Sequence, residues 1–259
     1  MDFKNTKLFD FSGTSALITG GATGLGAVMA QALVKNGSKV LIASRSEDNI
    51  QAKVQELNDP DKENCQGKVF DLKQEKSVNE LAEHARLIFA GKMNIVVNCS
   101  GINVRNPLED INLEEWEDIQ RTNVTGAFLL AKAVLPLLKK ATYGRLINVT
   151  SIFASRSFPH RLSYAASKGA LLQLTRTLAL EWASYGITVN AISPGPFLTE
   201  INKPVLDNPE NYKQFCKNIP LGRFGNPEEI ATTCLYLASP GSTYVTGSEV
   251  FIDGGWTAK

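Results

Sequence analysis

A doubly wound α/β domain is the fold this sequence predicts: seven parallel strands with helices on both faces. Three observations predict it. Short apolar, β-branched runs recur along the whole chain, longer segments with helical periodicity separate them, and most of the runs are apolar without alternation. Unbroken apolar runs mark strands buried on both faces, which is the situation in a parallel sheet. Strands that alternate with helices build right-handed βαβ units. In such a sheet ligands bind outside the carboxyl ends of the strands.

The strands are expected at Ser15–Thr19, Lys39–Ala43, Lys68–Phe70, Asn94–Asn98, Arg145–Thr150, Thr188–Ile192 and Glu249–Ile252. Helical stretches between them include Leu25–Asn36, Ser77–Phe89, Leu113–Lys140 and Ser163–Tyr185, with Gly37 and Gly186 at helix C-termini. The length of 259 residues fits one domain over residues 1–259, without a linker-like shift or a repeat. A polar, helix-capable insertion at Pro204–Asn218 breaks the rhythm after the sixth strand and reads as a flap over a site, about residues 196–218.

The apolar fraction of 43% is that of an ordinary globular core. With 27 Lys and Arg against 26 Asp and Glu, the net charge of +1 offers no field for nucleic acid or an anionic membrane. Four cysteines without a Cys-x-x-Cys pair, and only two histidines, argue against a metal site or a disulfide framework. The charged segment from Met1 to Phe11 lacks an apolar targeting core, and no run is long enough to span a bilayer. These features suit a cytoplasmic protein with free thiols.

The first strand runs into Thr19-Gly20-Gly21-Ala22-Thr23-Gly24-Leu25-Gly26, and a helix follows. Gly20, Gly24 and Gly26, with Thr23 and Leu25, let a backbone turn approach a pyrophosphate held on the free N–H groups of the helix start. The spacing is Gly-x-x-x-Gly-x-Gly rather than Gly-x-Gly-x-x-Gly. At the end of the second strand stand Ser44 and Arg45, where NAD sites usually place an acid. Arg45 can clamp a 2′-phosphate with help from Ser44, so NADP(H) is the expected cofactor and NAD(H) the alternative.

Tyr164-Ala165-Ala166-Ser167-Lys168 puts a phenol and an ammonium one turn apart on one helix face. The ammonium is expected to favour the phenolate and lower the Tyr164 pKa. Ser151 closes the fifth strand, where it can donate to a carbonyl oxygen on which negative charge develops. Asn123, a polar residue inside a long apolar helix, is expected to disrupt that helix locally and to hold a water that returns protons to Lys168. Arg105 follows the fourth-strand turn, and Arg156, His160 and Arg161 lie between Ser151 and Tyr164. Arg105, Arg156 and His160 are the candidates for holding a carboxylate or several hydroxyls.

Taken together, from Ser15 to Gly255, these pieces resemble the short-chain dehydrogenase/reductase family, with its Rossmann-type sheet. The resemblance implies a catalytic set of Asn123, Ser151, Tyr164 and Lys168. It also implies adenine contacts from Asp71 and Leu72, a cofactor cleft lined by Asn98, Ser100 and Gly101, and a nicotinamide end held by Pro194, Gly195 and Thr199. Tyr164 and Lys168 then serve cofactor binding as well. The family pattern Asn-Asn-Ala-Gly reads Asn98-Cys99-Ser100-Gly101 here, which makes Cys99 a small buried side chain.

The implied activity is hydride transfer between NADP(H) and a carbonyl or secondary alcohol in a homotetramer. Arg105-Asn106-Pro107 and Gly254-Gly255-Trp256 are similar to gluconate dehydrogenase-like members, which points to a sugar-acid or polyol-type substrate. Resemblance to 3-oxoacyl reductases makes thioester reduction the alternative. A non-catalytic dinucleotide sensor on the same fold is the reading from another class, and the intact Ser151, Tyr164 and Lys168 argue against it.

Overall fold

Why a chain of these strands closes into one layered sheet is visible in its alternation. In the computed structural model, which describes residues 9–59 and 63–258, β1 (Ser15–Thr19) turns Ala16 and Ile18 to one face and Leu17 to the other. β4 (Ile95–Asn98) does the same with Ile95 and Val97 against Val96. Each face is covered by helices, so the strand side chains are apolar on both sides. Residues 1–8, which include most of the charged N-terminal segment, together with 60–62 and 259, lie outside the described residues.

The sheet has seven strands in the order β3-β2-β1-β4-β5-β6-β7. β2 is Lys39–Ser44, β3 Cys65–Val69, β5 Gly144–Val149, β6 Ile187–Pro194 and β7 Glu249–Ile252. Every pairing is parallel. The chain reverses its direction of winding between β1 and β4, and the crevice that forms there opens at the strands' carboxyl ends.

One face carries α1 (Gly24–Lys35), α2 (Glu47–Leu57) and α9 (Ala231–Ala238). Met29, Leu33, Ile50 and Leu235 are part of its core. The other carries α3 (Glu75–Ile88), α5 (Gly126–Leu138) and α6 (Leu162–Trp182), with Leu81, Leu130, Val134 and Trp182 packed on the sheet. Burial of each such side chain is worth about 1.5–3 kcal/mol. Gly37 and Gly186 do end helical segments in the left-handed region, at φ +96° and +71°.

Two expectations need correction. The third strand lies at Cys65–Val69 rather than Lys68–Phe70. It is an edge strand, so Gln66 and Lys68 need not be apolar, while the buried Phe70 already belongs to the turn beyond it. The stretch Leu113–Lys140 is not one regular helix. α4 (Leu113–Gln120) passes into a π-helical turn at Arg121–Thr125 before α5 begins. This wide turn is the local disruption expected at Asn123, and such turns gather at functional sites.

The insertion after β6 folds into α7 (Lys203–Leu206) and α8 (Pro209–Cys216). α8 is anchored by aromatic contacts: Phe215 lies 5.4 Å from Phe158 and 5.5 Å from Trp256, centroid to centroid. Tyr212 packs on Phe224 at 5.0 Å. Deeper in the sheet, Arg145 is 1% exposed and stacks on Tyr143. It donates twice to the Ser239 carbonyl, at 3.2 and 3.1 Å, fastening the end of α9 to β5.

Candidate active site

The carboxyl ends of β1, β2, β4, β5 and β6 surround one cleft of about 350 Å³. Its floor is the turn after β1. Gly24 sits at φ +55°, where a side chain would strain the backbone. A Cβ on Gly26 would overlap the Gly20 carbonyl oxygen, so only glycine lets α1 start this close to the strand. The first helical bond runs from the Ala27 N–H to the Thr23 carbonyl. The amides of Gly24, Leu25 and Gly26 therefore precede the ladder, and no acidic side chain stands in the first turn to compete for them. This cradle fits a diphosphate.

At one end of the cleft Ser44 and the exposed Arg45 stand with Asp71 and Leu72. Asp71 is fixed by its N–H donating to Ser77 Oγ at 2.9 Å, and its carboxylate accepts from the Lys73 N–H at 3.0 Å. Ser100 and Gly101 form the middle of the wall. A Cβ on Gly101 would come within 3.1 Å of Asn123 Oδ1 and 3.4 Å of Lys168 Nζ, so Gly101 leaves room for both. Across from them stand Pro194, Gly195 and Thr199.

The other end holds Ser151, Tyr164 and Lys168 together. Lys168 is 4% exposed. Its ammonium donates to the Val149 carbonyl at 2.8 Å and lies 5.7 Å from the centre of the Tyr164 ring. Burial pushes Lys168 down to about 8, against a smaller upward pull from Cys99. Tyr164 is pushed up to about 12, also by burial. The groups that work downward on it are the Ser151 hydroxyl and the cations Arg161 and Arg105. The expected lowering by Lys168 does not emerge: burial dominates, and the cations that work downward on the phenol are Arg161 and Arg105. Burial raises the Cys99 thiol to about 11, which keeps it a small neutral side chain.

Asn98, expected to line the cleft, and Asn123, expected to hold a water there, both stand behind it. Asn98 is 2% exposed; its Oδ1 accepts from Thr19 Oγ1 at 3.2 Å and its amide donates to Asn148 Oδ1 at 3.1 Å. Thr19 Oγ1 accepts in turn from the Ser100 N–H at 3.3 Å. Asn123 does not hold its side chain free for a water. Its Oδ1 accepts from the Ile102 N–H, and its amide donates to the Ile102 carbonyl and to Ser167 Oγ, each at 2.9 Å. Ser167 Oγ then donates to the Tyr164 carbonyl at 2.8 Å, so Asn123 ties the loop after β4 to the helix that carries Tyr164.

Of the cationic candidates, Arg105 lines the cleft, whereas Arg156 and His160 do not. Arg156 is exposed and donates to the Ser155 and Thr257 carbonyls at 3.2 and 3.3 Å, so it braces the C-terminal segment. His160 is also exposed, at φ +61°. The chain turns there, and Arg161 enters the cleft in its place. Sequence reading also passed over Thr19, Ser167 and the apolar wall of Phe153 and Phe215. Ser167 was legible inside the Tyr164–Lys168 turn, but the aromatic wall joins distant segments and left no local signal.

Comparison with known proteins agrees with this geometry. The family model described as enoyl-(acyl carrier protein) reductase matches residues 20–257. A tropinone reductase homolog of Arabidopsis thaliana is 36% identical over 98% of this chain and 96% of its own. The glucose 1-dehydrogenase of Gluconobacter oxydans is 36% identical over 95% and 93%. The gluconate 5-dehydrogenase of Burkholderia cenocepacia, solved with NADP and tartrate, superposes with a TM-score of 0.92 at 32% identity, over 98% of this chain and 100% of its own. A nucleotide cradle, a serine, a tyrosine and a lysine gathered at one crevice, and likeness over nearly the full length of these proteins, make the chain an oxidoreductase of the short-chain dehydrogenase/reductase family.

Proposed function

We propose that the protein is an NADP(H)-dependent oxidoreductase that interconverts a carbonyl and a secondary alcohol on a sugar-acid or polyol-type substrate. The observation that carries this reading is Ser151, Tyr164 and Lys168 standing together at one end of a cleft whose other end presents Arg45. The glycine cradle would hold the diphosphate, and Asp71 with Leu72 the adenine. Arg45 and Ser44 would hold the 2′-phosphate, and Pro194, Gly195 and Thr199 the nicotinamide end. The cofactor supplies the hydride. Ser151 donates to the substrate oxygen, and Tyr164 gives it a proton during reduction and takes one back during oxidation. Lys168 and Asn123 support Tyr164, the first with an ammonium 5.7 Å from its ring centre and the second by fixing the backbone through Ser167. The segment 196–218 supplies Phe197, Ile201, Asn202 and Phe215 to the wall, which supports its reading as a flap over the substrate. Exposed Phe128 on α5 and Leu180 on α6 support assembly into a homotetramer through those helices.

Arg45→Asp tests the cofactor. It replaces a phosphate partner with a repulsive charge, so NADPH affinity should fall by about 100-fold while NADH changes by less than about threefold. Equal losses in titrations with the two cofactors would remove Arg45 from this role. Reduction of a keto-sugar acid, followed by loss of the reduced-nicotinamide absorbance, tests the substrate class. Turnover of 3-oxoacyl thioesters instead would favour the acyl-reductase reading, which 35% identity to a 3-oxoacyl-[acyl-carrier-protein] reductase of Vibrio cholerae supports. Tight NADPH binding with no turnover of sugar acids, ketones or thioesters would overturn the enzymatic reading.

A further inference from the structure

Two arginines meet at the reacting end of the cleft without a counter-charge. Arg105 arrives on the loop after β4 and Arg161 on the residue before α6. Arg161 is 6% exposed, and its Nη1 donates to the His160 carbonyl at 3.0 Å. Arg105 Nη2 donates to the Ile201 carbonyl at 2.9 Å and to Asn202 Oδ1 at 2.8 Å. Its Nη1 is buried without an acceptor among the described residues. Neither guanidinium forms an ion pair with a carboxylate of the described residues. Glu200, an acidic residue of the same wall, is exposed and pairs with neither.

A buried cation without a partner is costly, and a second cation beside it adds repulsion. The protein keeps both. Burial, and then the charge of Arg105, hold Arg161 down to about 10, while Tyr164 pulls it the other way. Arg105 is lowered by burial and likewise supported by Tyr164. Both guanidiniums therefore stand close enough to the phenol to act on it. The left-handed backbone at His160, uncommon for a residue with a side chain, turns the chain just where Arg161 enters. Phe153 lies beneath Arg161, 5.9 Å from ring centre to guanidinium carbon, and Phe215 and Ile201 continue an apolar surface.

We propose that Arg105 and Arg161 form a two-arginine receptor for a carboxylate on the substrate, and that this anchor sets which carbon is presented to Tyr164. The planar fork of each guanidinium matches a carboxylate, and one bound anion satisfies both charges and the orphaned Nη1. The carbon frame then packs on Phe153, Phe215 and Ile201. This deepens the function proposed above and rests on it in placing the substrate beside Tyr164.

Calorimetric titration of the NADP⁺-saturated protein with two matched pairs tests the receptor without requiring turnover: gluconate against gluconamide, and benzoate against benzamide. In the wild type the acid of at least one pair should bind about tenfold more tightly than its amide, or better. Arg105→Gln and Arg161→Gln should each bring that ratio close to one while moving amide affinity by less than about threefold. A folding defect would weaken acid and amide alike, so the ratio separates it from loss of the receptor, and either variant suffices if the other does not fold. Equal binding of acid and amide by the wild type, no binding of either acid, or a preference that survives both substitutions would overturn the proposal. Preference for benzoate with no response to gluconate would support the receptor and overturn the sugar-acid substrate.

Discussion

Tyr164→Phe is expected to lower kcat by about 1,000-fold or more while leaving NADPH affinity within about threefold of wild type. The substitution removes one oxygen and keeps the ring that Lys168 lies against. In the reductive direction the phenol must arrive protonated, and its elevated pKa of about 12, set by burial, ensures this at neutral pH. In the oxidative direction the same elevation works against the enzyme, because the phenolate is scarce. Oxidation by the wild type should therefore accelerate as pH rises toward the alkaline range, while reduction should not. Steady-state rates in both directions, with cofactor affinity measured by fluorescence, check both statements. Unchanged turnover by the phenylalanine variant would show that another group moves the proton.

Lys168→Met should separate stability from activity. The buried ammonium titrates at about 8 in the folded chain, below the ordinary 10.5. Below about 8 both folded and unfolded chains carry the charge, and the folded one bears the full cost of burying it. Between about 8 and 10.5 the folded chain releases its proton first, so this cost fades and stability rises with pH. A methionine of similar length removes the cost but also the bond to the Val149 carbonyl. The ligand-free variant should be more stable by about 1–3 kcal/mol at neutral pH, with the gain shrinking toward pH 10. Its kcat should nonetheless fall by about 100-fold or more, because the ammonium beside the Tyr164 ring, which would favour a phenolate formed during turnover, is gone. Denaturant unfolding at two pH values and a turnover assay decide this. A variant less stable at neutral pH than at high pH, relative to wild type, would reverse the account of Lys168 burial.

Much of the fold was legible because its signals are local. The apolar run at Ser15–Thr19 coincides with β1 to the residue, since a strand buried by helices on both faces has no freedom to be polar, and Glu249–Ile252 coincides with β7, a partly exposed edge strand whose last three residues are all apolar. The edge strand β3 was misplaced because one flank meets solvent and relaxes that demand. α2 was not among the stretches read as helical, since its apolar stripe is only Ile50, Val54 and Leu57 on an otherwise polar segment. At the site, the glycine turn and the Tyr164–Lys168 turn are compact motifs and were readable. Asn98 and Asn123 were readable as important but not for what they touch. Their partners, Asn148 and Ile102, lie 50 and 21 residues away, and spacing along the chain carries no record of such meetings. Arg156, His160 and Arg161 were indistinguishable in sequence; the left-handed turn at His160 separates the inward arginine from its exposed neighbours.

The strand order imposes a timetable on synthesis. β1 has two partners, β2 and β4, and the bond between Thr19 and Asn98 spans 79 residues. At about 5–20 residues per second, a nascent chain presents β1 for roughly 4–16 s before β4 exists to cover it. During that interval one side of an apolar strand is open, with its N–H and C=O groups unpaired, and another chain can add to it as readily as the missing strand. The crevice that holds the nucleotide opens at the seam between β1 and β4. Nothing can bind there to protect the early half, so the ribosome-bound chain must survive its most aggregation-prone moment unliganded. The crevice and the end of that exposure arrive in a single event, when β4 docks; Ser151, Tyr164 and Lys168 leave the ribosome only later.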